Sequence, residues 1–412
     1  MALTKEEREK WLAVLDRTGG RKKTGREGRV IPEDYKQWKQ YTERKEVVVE
    51  VPSVGVPVKC YITMAKDRKN GCPVHVNMHG GGFIFLQDGD DDLYCEHLAA
   101  RIHGIVVDID YASSLDHAYP VAFEQSYRVV KWVFEQCESW GADPKKVSIG
   151  GHSAGGCLVA AISLKAAQTK DFKVCLQVLD YAANDNYMPM TDTSGKSDRS
   201  QAFSMLYADG DEELLKQPFV SPVFATADMM ENQPETLIVN AQNCPFCLAN
   251  EEYGRKLVEA GVTVTMRRFR ESHHGFTVRM SDEWKEAQEL IIREQDCCEG
   301  TNKIPSMYVE AIMDGKETIE TLEDRISGRY AAEDYKDAEG NLIVEANCMI
   351  TPKRAKEIVN AGYEKVKIRT MLTCKSHNGA CSKCYGANLA TGQAVQVGEA
   401  VGIIAAQSIG EP

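Results

Sequence analysis

The sequence contains no apolar run approaching the ~18–20 residues that a helix needs to span a bilayer. It has no surplus of basic charge either: 61 Asp and Glu stand against 49 Lys and Arg, a formal charge of −12 over 412 residues. That balance excludes broad, non-specific attraction to nucleic acid or anionic lipid. Internal repeats, low-complexity segments and a Pro/Ser-rich linker are also missing. The first residues, Met1 to Arg8, are charged and carry no signal-peptide hydrophobic region. From these absences we expect a cytoplasmic protein with no membrane partner. Cysteine, by contrast, is plentiful for a reducing compartment, at fourteen residues. Cys60, Cys72, Cys157 and Cys175 sit singly in apolar stretches and read as ordinary free thiols.

Length argues for at least two domains. Residues 1–45 read as two polar helices joined by the basic loop Arg21-Lys22-Lys23-Thr24-Gly25-Arg26, taken as a solvated linker. From Val47 to about Arg270, strand-like runs alternate with helix-length segments. Strands are predicted at 46–51, 56–64, 73–78, 104–110, 146–150, 173–179, 236–241 and 262–269. Helices are predicted at 91–103, 121–138, 154–168, 247–260 and 281–293. This alternation implies βαβ units and a mainly parallel sheet with an antiparallel start. The polar stretch 184–220 suits an insertion over the sheet. After Arg293 the alternation stops, and short extended pieces, acidic turns and a Thr351-Pro352 helix start follow.

The densest chemical signal is Gly151-His152-Ser153-Ala154-Gly155, between the β-branched run Val147-Ser148-Ile149 and the helical Leu158-Val159-Ala160-Ala161-Ile162. A G-x-S-x-G between strand and helix is a nucleophile elbow: the serine backbone is strained, and side chains at the glycine positions would collide with neighbouring chain. A serine nucleophile needs a base, and His274, before Gly275-Phe276, follows the last predicted strand. A developing oxyanion needs backbone N–H donors. His79-Gly80-Gly81-Gly82-Phe83 after the 73–78 strand supplies glycines for that role, and Ala154 a further donor. His273 reads as a space-filling neighbour, and Asp88 with Asp90–Asp92 as caps of the following helix rather than a cation site.

On these residues, with Tyr111, Pro120 and Asp143-Pro144, the segment from about 40 to 290 resembles the hormone-sensitive-lipase branch of the α/β-hydrolases. The resemblance implies hydrolysis of small-molecule acyl esters by Ser153 and His274. It also implies an oxyanion hole from Gly81, Gly82 and Ala154, with the N-terminal helices and 184–220 as a cap. Two departures stand out. His152 replaces the branch's usual aspartate, and Cys244-Pro245-Phe246-Cys247 occupies the place of the acid motif. The acid is then Asp185 from the preceding loop, the favoured choice, or Glu251 or Glu252, or absent altogether. A C-x-x-C redox role is the lesser reading of Cys244 and Cys247, because no thioredoxin-like unit surrounds them.

Near the C-terminus, Cys374-x6-Cys381-x2-Cys384 has the spacing of metal ligands, with Cys297, Cys298 or His377 available as a fourth. Residues 291–412 are similar to the bacterial RNA polymerase β′ subunit. The residues that carry this are Ile292-Arg293-Glu294-Gln295-Asp296-Cys297, Asp324-Arg325-Ile326 with Gly328-Arg329, the cysteine run, and the final Gly398-Glu399-Ala400-Val401-Gly402-Ile403-Ile404-Ala405-Ala406-Gln407-Ser408-Ile409-Gly410-Glu411-Pro412. This resemblance implies a structural Zn²⁺ on Cys297, Cys374, Cys381 and Cys384, and polymerase subunits as partners. The polymerase motif Asn-Ala-Asp-Phe-Asp-Gly-Asp does not occur in the chain, so neither polymerase activity nor nucleic-acid binding by this chain alone is expected. The expected fold is therefore an α/β-hydrolase domain at 46–290, preceded by cap helices at 1–45. A small, irregular, zinc-binding α+β fragment follows at 291–412. A hydrolase fold used only for binding, and a transcription-related zinc module, are the competing functional readings.

Overall fold

The alternating runs assemble into one eight-stranded sheet. The computed structural model describes residues 3–18, 31, 36–87, 89, 91–192, 197–292, 304–315, 317–374, 380–388 and 391–395. The strands are β1 (Thr42–Val49), β2 (Val58–Ala65), β3 (Cys72–Met78), β4 (Ile105–Asp110), β5 (Ala142–His152), β6 (Leu176–Asp180), β7 (Glu235–Asn243) and β8 (Val264–His273). Their spatial order is β1-β2-β4-β3-β5-β6-β7-β8. β1, β2 and β4 pair antiparallel, whereas β4-β3-β5-β6-β7 run parallel. The chain order reverses between β3 and β5, and open α/β sheets present ligands at the carboxyl ends of strands flanking such a reversal.

Connecting helices are α1 (Lys5–Arg17), α2 (Asp92–Arg101), α3 (Val121–Trp140), α4 (Ala154–Thr169), α5 (Asp198–Tyr207), α6 (Cys247–Glu259), α7 (Phe276–Arg279) and α8 (Trp284–Ile292). Strands β3 and β4 are almost wholly buried, as expected for inner strands of a largely parallel sheet. Their buried polar residues Asn77 and Asp108 pair with each other, the Asn77 amide donating to the Asp108 carboxylate at 2.8 Å. The edge strand β1 instead exposes Glu43, Arg44 and Lys45, a charged edge that resists pairing with other chains. Helix α4 is buried along nearly its whole length, which matches its apolar sequence on every side.

One expectation is corrected at the N-terminus. Helix α1 forms, closed by a Thr4/Glu7 capping box. Among the described residues the second polar helix is only a 3₁₀ turn at Gln37–Tyr41, and β1 already starts at Thr42. The polar segment Thr42–Lys45 is drawn into the sheet by its ladder with Ile62–Ala65, so cross-strand pairing overrides the local pattern. The loop 21–26 lies outside the described residues. Leu15 of α1 packs with Ala202 and Leu206 of α5 and with Ile84, just after the glycine run. Helices α1 and α5 thus share a core with the loop that follows β3.

The chain divides into two compact units: Met1–Leu257 with Met266–Ile292, and Val258–Thr265 with Arg293–Pro412. In the second, β9 (Met307–Glu310) pairs antiparallel with β14 (Lys365–Ile368). Two further antiparallel pairs are β10 (Ile312–Asp314) with β11 (Glu317–Glu320), and β12 (Tyr335–Lys336) with β13 (Leu342–Val344). Helices α9 (Leu322–Ile326), α10 (Pro352–Asn360) and α11 (Ser382–Tyr385) complete it. Thr351 caps α10 and Pro352 occupies its first turn. Ile326, Tyr335, Val344, Ile350, Ile358 and Val366 build its core. This is a small α+β arrangement with short strands. Among the described residues no helix is long and apolar enough to cross a membrane.

Candidate active site and cysteine cluster

Strand β5 delivers Ser153 to the start of α4 through a tight turn. Its backbone sits at φ 56°, ψ −116°, a region non-glycine residues adopt only when the surroundings over-determine it. Those surroundings are explicit. The Ser153 N–H donates to the Asp180 carbonyl at 3.0 Å, and the Ala183 N–H donates to the Ser153 carbonyl at 2.9 Å. A Cβ on Gly155 would lie 1.9 Å from the Met78 carbonyl oxygen, and one on Gly151 2.5 Å from the Gly155 carbonyl carbon. The glycines let α4 start hard against β3, which leaves the serine side chain alone at the apex.

His274 follows β8, and Gly275 turns the chain at φ 91°. Its Nε2 lies 2.9 Å from Ser153 Oγ. On its other side, Nδ1 lies 3.1 Å from Cys244 Sγ. Tyr181 meets the imidazole edge-on at 5.0 Å and Phe246 packs at 5.8 Å. Burial, followed by the Arg279 cation, lowers the His274 pKa to about 4. Burial pushes the Cys244 thiol up to about 12, so at neutral pH an uncharged thiol faces an uncharged imidazole.

The carboxylates considered from sequence are engaged elsewhere. Asp185 Oδ1 accepts from the N–H groups of Tyr187 at 3.0 Å and Met188 at 2.7 Å, so Asp185 fixes its own loop and is not the partner of Nδ1. Glu251 pairs with Arg268, and Glu252 with Arg255. Among the described residues the partner of Nδ1 is the sulfur that stands in the acid's usual place. His273 reaches Asp282 rather than the serine.

The glycine run lies beside this pair. A Cβ on Gly80 would meet the Ser153 Cβ at 3.4 Å and the His152 carbonyl oxygen at 3.2 Å. Gly81 and Gly82 adopt φ 142° and 60°, and the Gly81 carbonyl accepts from the N–H groups of Ile84 and Phe85 at 3.1 Å each. Among the described residues, neither the Gly81 nor the Gly82 N–H donates to a backbone carbonyl. Ala154 opens α4, so its N–H is a first-turn donor without an intrahelical acceptor. His79 anchors the run from behind: its ring stacks on Tyr111 at 4.2 Å, and the Tyr111 hydroxyl donates to the His79 carbonyl at 2.6 Å. Phe203 of α5 lies directly over Gly82.

Beneath the elbow is a buried polar network that the sequence reading did not find. His152 Nδ1 lies 2.7 Å from Asp180 Oδ2 and its Nε2 3.5 Å from Asp91 Oδ1. The Thr277 hydroxyl donates to Asp180. Burial alone would lower the His152 pKa; the bond and charge of Asp180, then Asp91 and Asp108, raise it instead. The aspartate run is also corrected. Asp91 stands at the N-cap of α2 but makes no side-chain cap bond, and it faces His152 instead. Asp92 is held by Arg44 and Gln87. Asp88 and Asp90 lie outside the described residues. In the sequence His152 stands out only as a departure from the usual aspartate, and Asp180 simply ends the strand Leu176-Gln177-Val178-Leu179.

In the second unit, the sulfurs of Cys374, Cys381 and Cys384 lie within 4.8 Å of one another. Soft thiolates at that spacing fit a tetrahedral metal. Cys381 also caps α11, accepting from the Cys384 N–H at 3.4 Å. Cys297, Cys298 and His377 lie outside the described residues.

Comparisons with known proteins also divide the chain in two, with the matches meeting at residues 271–278. Residues 75–278 match the family described as alpha/beta hydrolase fold, and residues 271–412 match RNA polymerase Rpb1, domain 5. Carboxyl esterase 2 from Tuber melanosporum is 29% identical with a TM-score of 0.56, covering 61% of this chain and 85% of that one. An esterase from Pyrobaculum calidifontis is 27% identical with a TM-score of 0.56, covering 61% and 83%. Brefeldin A esterase, described as a bacterial homologue of human hormone sensitive lipase, shares the fold at TM-score 0.62 and 20% identity, covering 71% and 86%. The β′ subunit of Lachnoclostridium phytofermentans RNA polymerase is 66% identical over 131 residues, which is 31% of this chain and 10% of that protein. That of Caldanaerobacter subterraneus is 56% identical over 126 residues, again 31% and 10%. The chain thus spans about a tenth of the length of the curated relatives it matches. This chain carries an α/β-hydrolase domain with an esterase-like fold, joined to a fragment similar to the β′ subunit of RNA polymerase.

Proposed function

We propose that the first unit hydrolyses small-molecule carboxylic esters, with Ser153 as nucleophile and His274 as base. The observation that carries this reading is the 2.9 Å approach of His274 Nε2 to Ser153 Oγ, on a strained elbow beside the glycine run. His274 Nε2 takes the Ser153 proton as Oγ attacks the acyl carbonyl. The carbonyl oxygen becomes an alkoxide and receives the N–H groups of Gly81, Gly82 and Ala154. His274 then returns the proton to the leaving alcohol. Water attacks the acyl-serine by the reverse sequence, which releases the acid and restores the serine.

Cys244 limits this cycle. The imidazolium formed in each half-reaction presents its Nδ1–H to a sulfur rather than to a carboxylate. Loss of a triad carboxylate can cost ~10⁴ in rate, so turnover is slow relative to an enzyme with aspartate there. The same observation motivates the second reading, a hydrolase fold used for binding. Hydrolysis of a short p-nitrophenyl ester separates the two. The esterase reading requires measurable wild-type turnover that vanishes in Ser153→Ala; equal, background rates for both proteins favour binding alone.

For the second unit we propose a structural Zn²⁺ held by Cys374, Cys381 and Cys384, with Cys297 as fourth ligand. A metal enclosed by four thiolates has no open coordination position and supplies folding energy rather than reaction chemistry. Polymerase subunits are the partners this fragment's resemblance suggests.

A further inference from the structure

Among the described residues Arg369 is the largest fully buried side chain, with 0% of its surface exposed. A guanidinium removed from water is costly unless anions or strong acceptors surround it. Its Nη2 lies 3.5 Å from Cys381 Sγ and 3.4 Å from Cys384 Sγ. Its Nη1 donates to the Asn347 side-chain carbonyl, and its backbone N–H donates to the Tyr330 carbonyl at 2.8 Å. Neutral thiols are weak acceptors, whereas metal-bound thiolates accept charge-assisted bonds. A buried cation aimed at two sulfurs makes chemical sense once those sulfurs carry negative charge.

We propose that Arg369 is a positioning and charge-compensating residue for the metal centre, holding the sulfurs of Cys381 and Cys384 through one guanidinium nitrogen. The proposal rests on the zinc reading of the cysteine cluster. Four thiolates around Zn²⁺ leave a net charge of about −2, and a buried guanidinium removes about half of it without solvent. Partners beyond the ligands orient them and tune affinity, and their loss typically weakens metal binding about 10–100-fold. Arg369 also ties the centre to its surroundings. Its side chain reaches Asn347, while its backbone N–H holds the Tyr330 carbonyl, so metal loading and the placement of Asn347 share one side chain. A lysine could not reproduce this, because its ammonium is a point donor without the planar fork.

The test uses the full chain and the variants Arg369→Gln and Arg369→Lys. Wild type should take up about one zinc per chain, measured by metal analysis, with its affinity set by competition against a chromophoric chelator. Arg369→Gln should bind zinc about 10–100-fold more weakly, and its Co²⁺ form should show a shifted thiolate-to-metal charge-transfer band. Arg369→Lys, which keeps the charge and guards against a simple folding failure, should fall between the two. The zinc-loaded Cys381 and Cys384 sulfurs should also react faster with N-ethylmaleimide in Arg369→Gln, a change that lost packing alone would not confine to those two positions. Wild type without zinc would remove the metal reading itself. Zinc present, with affinity and Co²⁺ spectrum unchanged in both variants, would overturn the role of Arg369 and leave the metal reading standing.

Discussion

At His274 the surroundings make two opposing demands. Burial and the Arg279 cation hold the imidazole neutral down to about pH 4, which keeps Nε2 able to accept the Ser153 proton. The same surroundings disfavour the imidazolium that catalysis must form, and Cys244 offers no charge to offset this. The sign of the pH dependence follows: a base with a depressed pKa works above that value. Esterase activity should therefore stay flat from neutral pH to about 5 and fall through about 4, measured as kcat/KM on an uncharged p-nitrophenyl ester. Cys244→Asp places a carboxylate at Nδ1, favours the imidazolium and moves the acid limb up toward the ordinary histidine value of about 6.5. Its rate near pH 8 should rise, by as much as ~10²–10⁴. A variant no faster than wild type, with an unmoved acid limb, would mean that the thiol does not limit turnover. Ser153, His274 and the glycines were legible in the sequence because each lies in a short, contiguous motif. The resemblance put Cys244 in the acid's place but left the partner of Nδ1 open between Asp185, Glu251, Glu252 and none, since Cys244 and His274 lie thirty positions apart in the sequence and only folding decides which side chain arrives there. His152 with Asp180, Thr277 and Asp91 was hidden for the same reason.

At the scale of elements, the crossing of β3, β5 and α4 holds the site together. Gly155 permits that crossing: its missing Cβ would lie 1.9 Å from a backbone oxygen that cannot rotate away. Gly155→Ala should therefore destabilise the first unit by more than the ~1–3 kcal/mol typical of overpacking, with loss of esterase activity and a lower urea midpoint. A wild-type midpoint would show that α4 can shift without harm. Most elements were readable, because β-branched runs and helical periodicity are local signals. The failures came where a ladder or a distant side chain outweighed local pattern. Thr42–Lys45 joined β1 through pairing with β2, and Asp91 turned from its helix cap to His152.

At the scale of the whole molecule, the chain divides into two compact units rather than one. The second is built around residues such as Ile326, Ile358 and Val366, and a structural metal bound there would add its binding energy to folding. Removing metal with a strong chelator should release the thiols of Cys374, Cys381 and Cys384 to titrate with a disulfide reagent. It should also lower the unfolding temperature of the second unit. Identical thiol titration before and after chelation would contradict a metal centre there. The two-part make-up was visible in the sequence, since both motif sets are long and ordered. The candidate site residues and their order, the elbow serine, the glycine run, the histidine and the cysteine run, are properties of adjacent residues, and local chemistry suffices to single them out. Tertiary structure alone decided that a thiol faces His274, that Asp185 serves its own loop, and that Arg369 sits against two cysteine sulfurs. Each of these depends on which distant side chains share a buried space, and no local pattern encodes that.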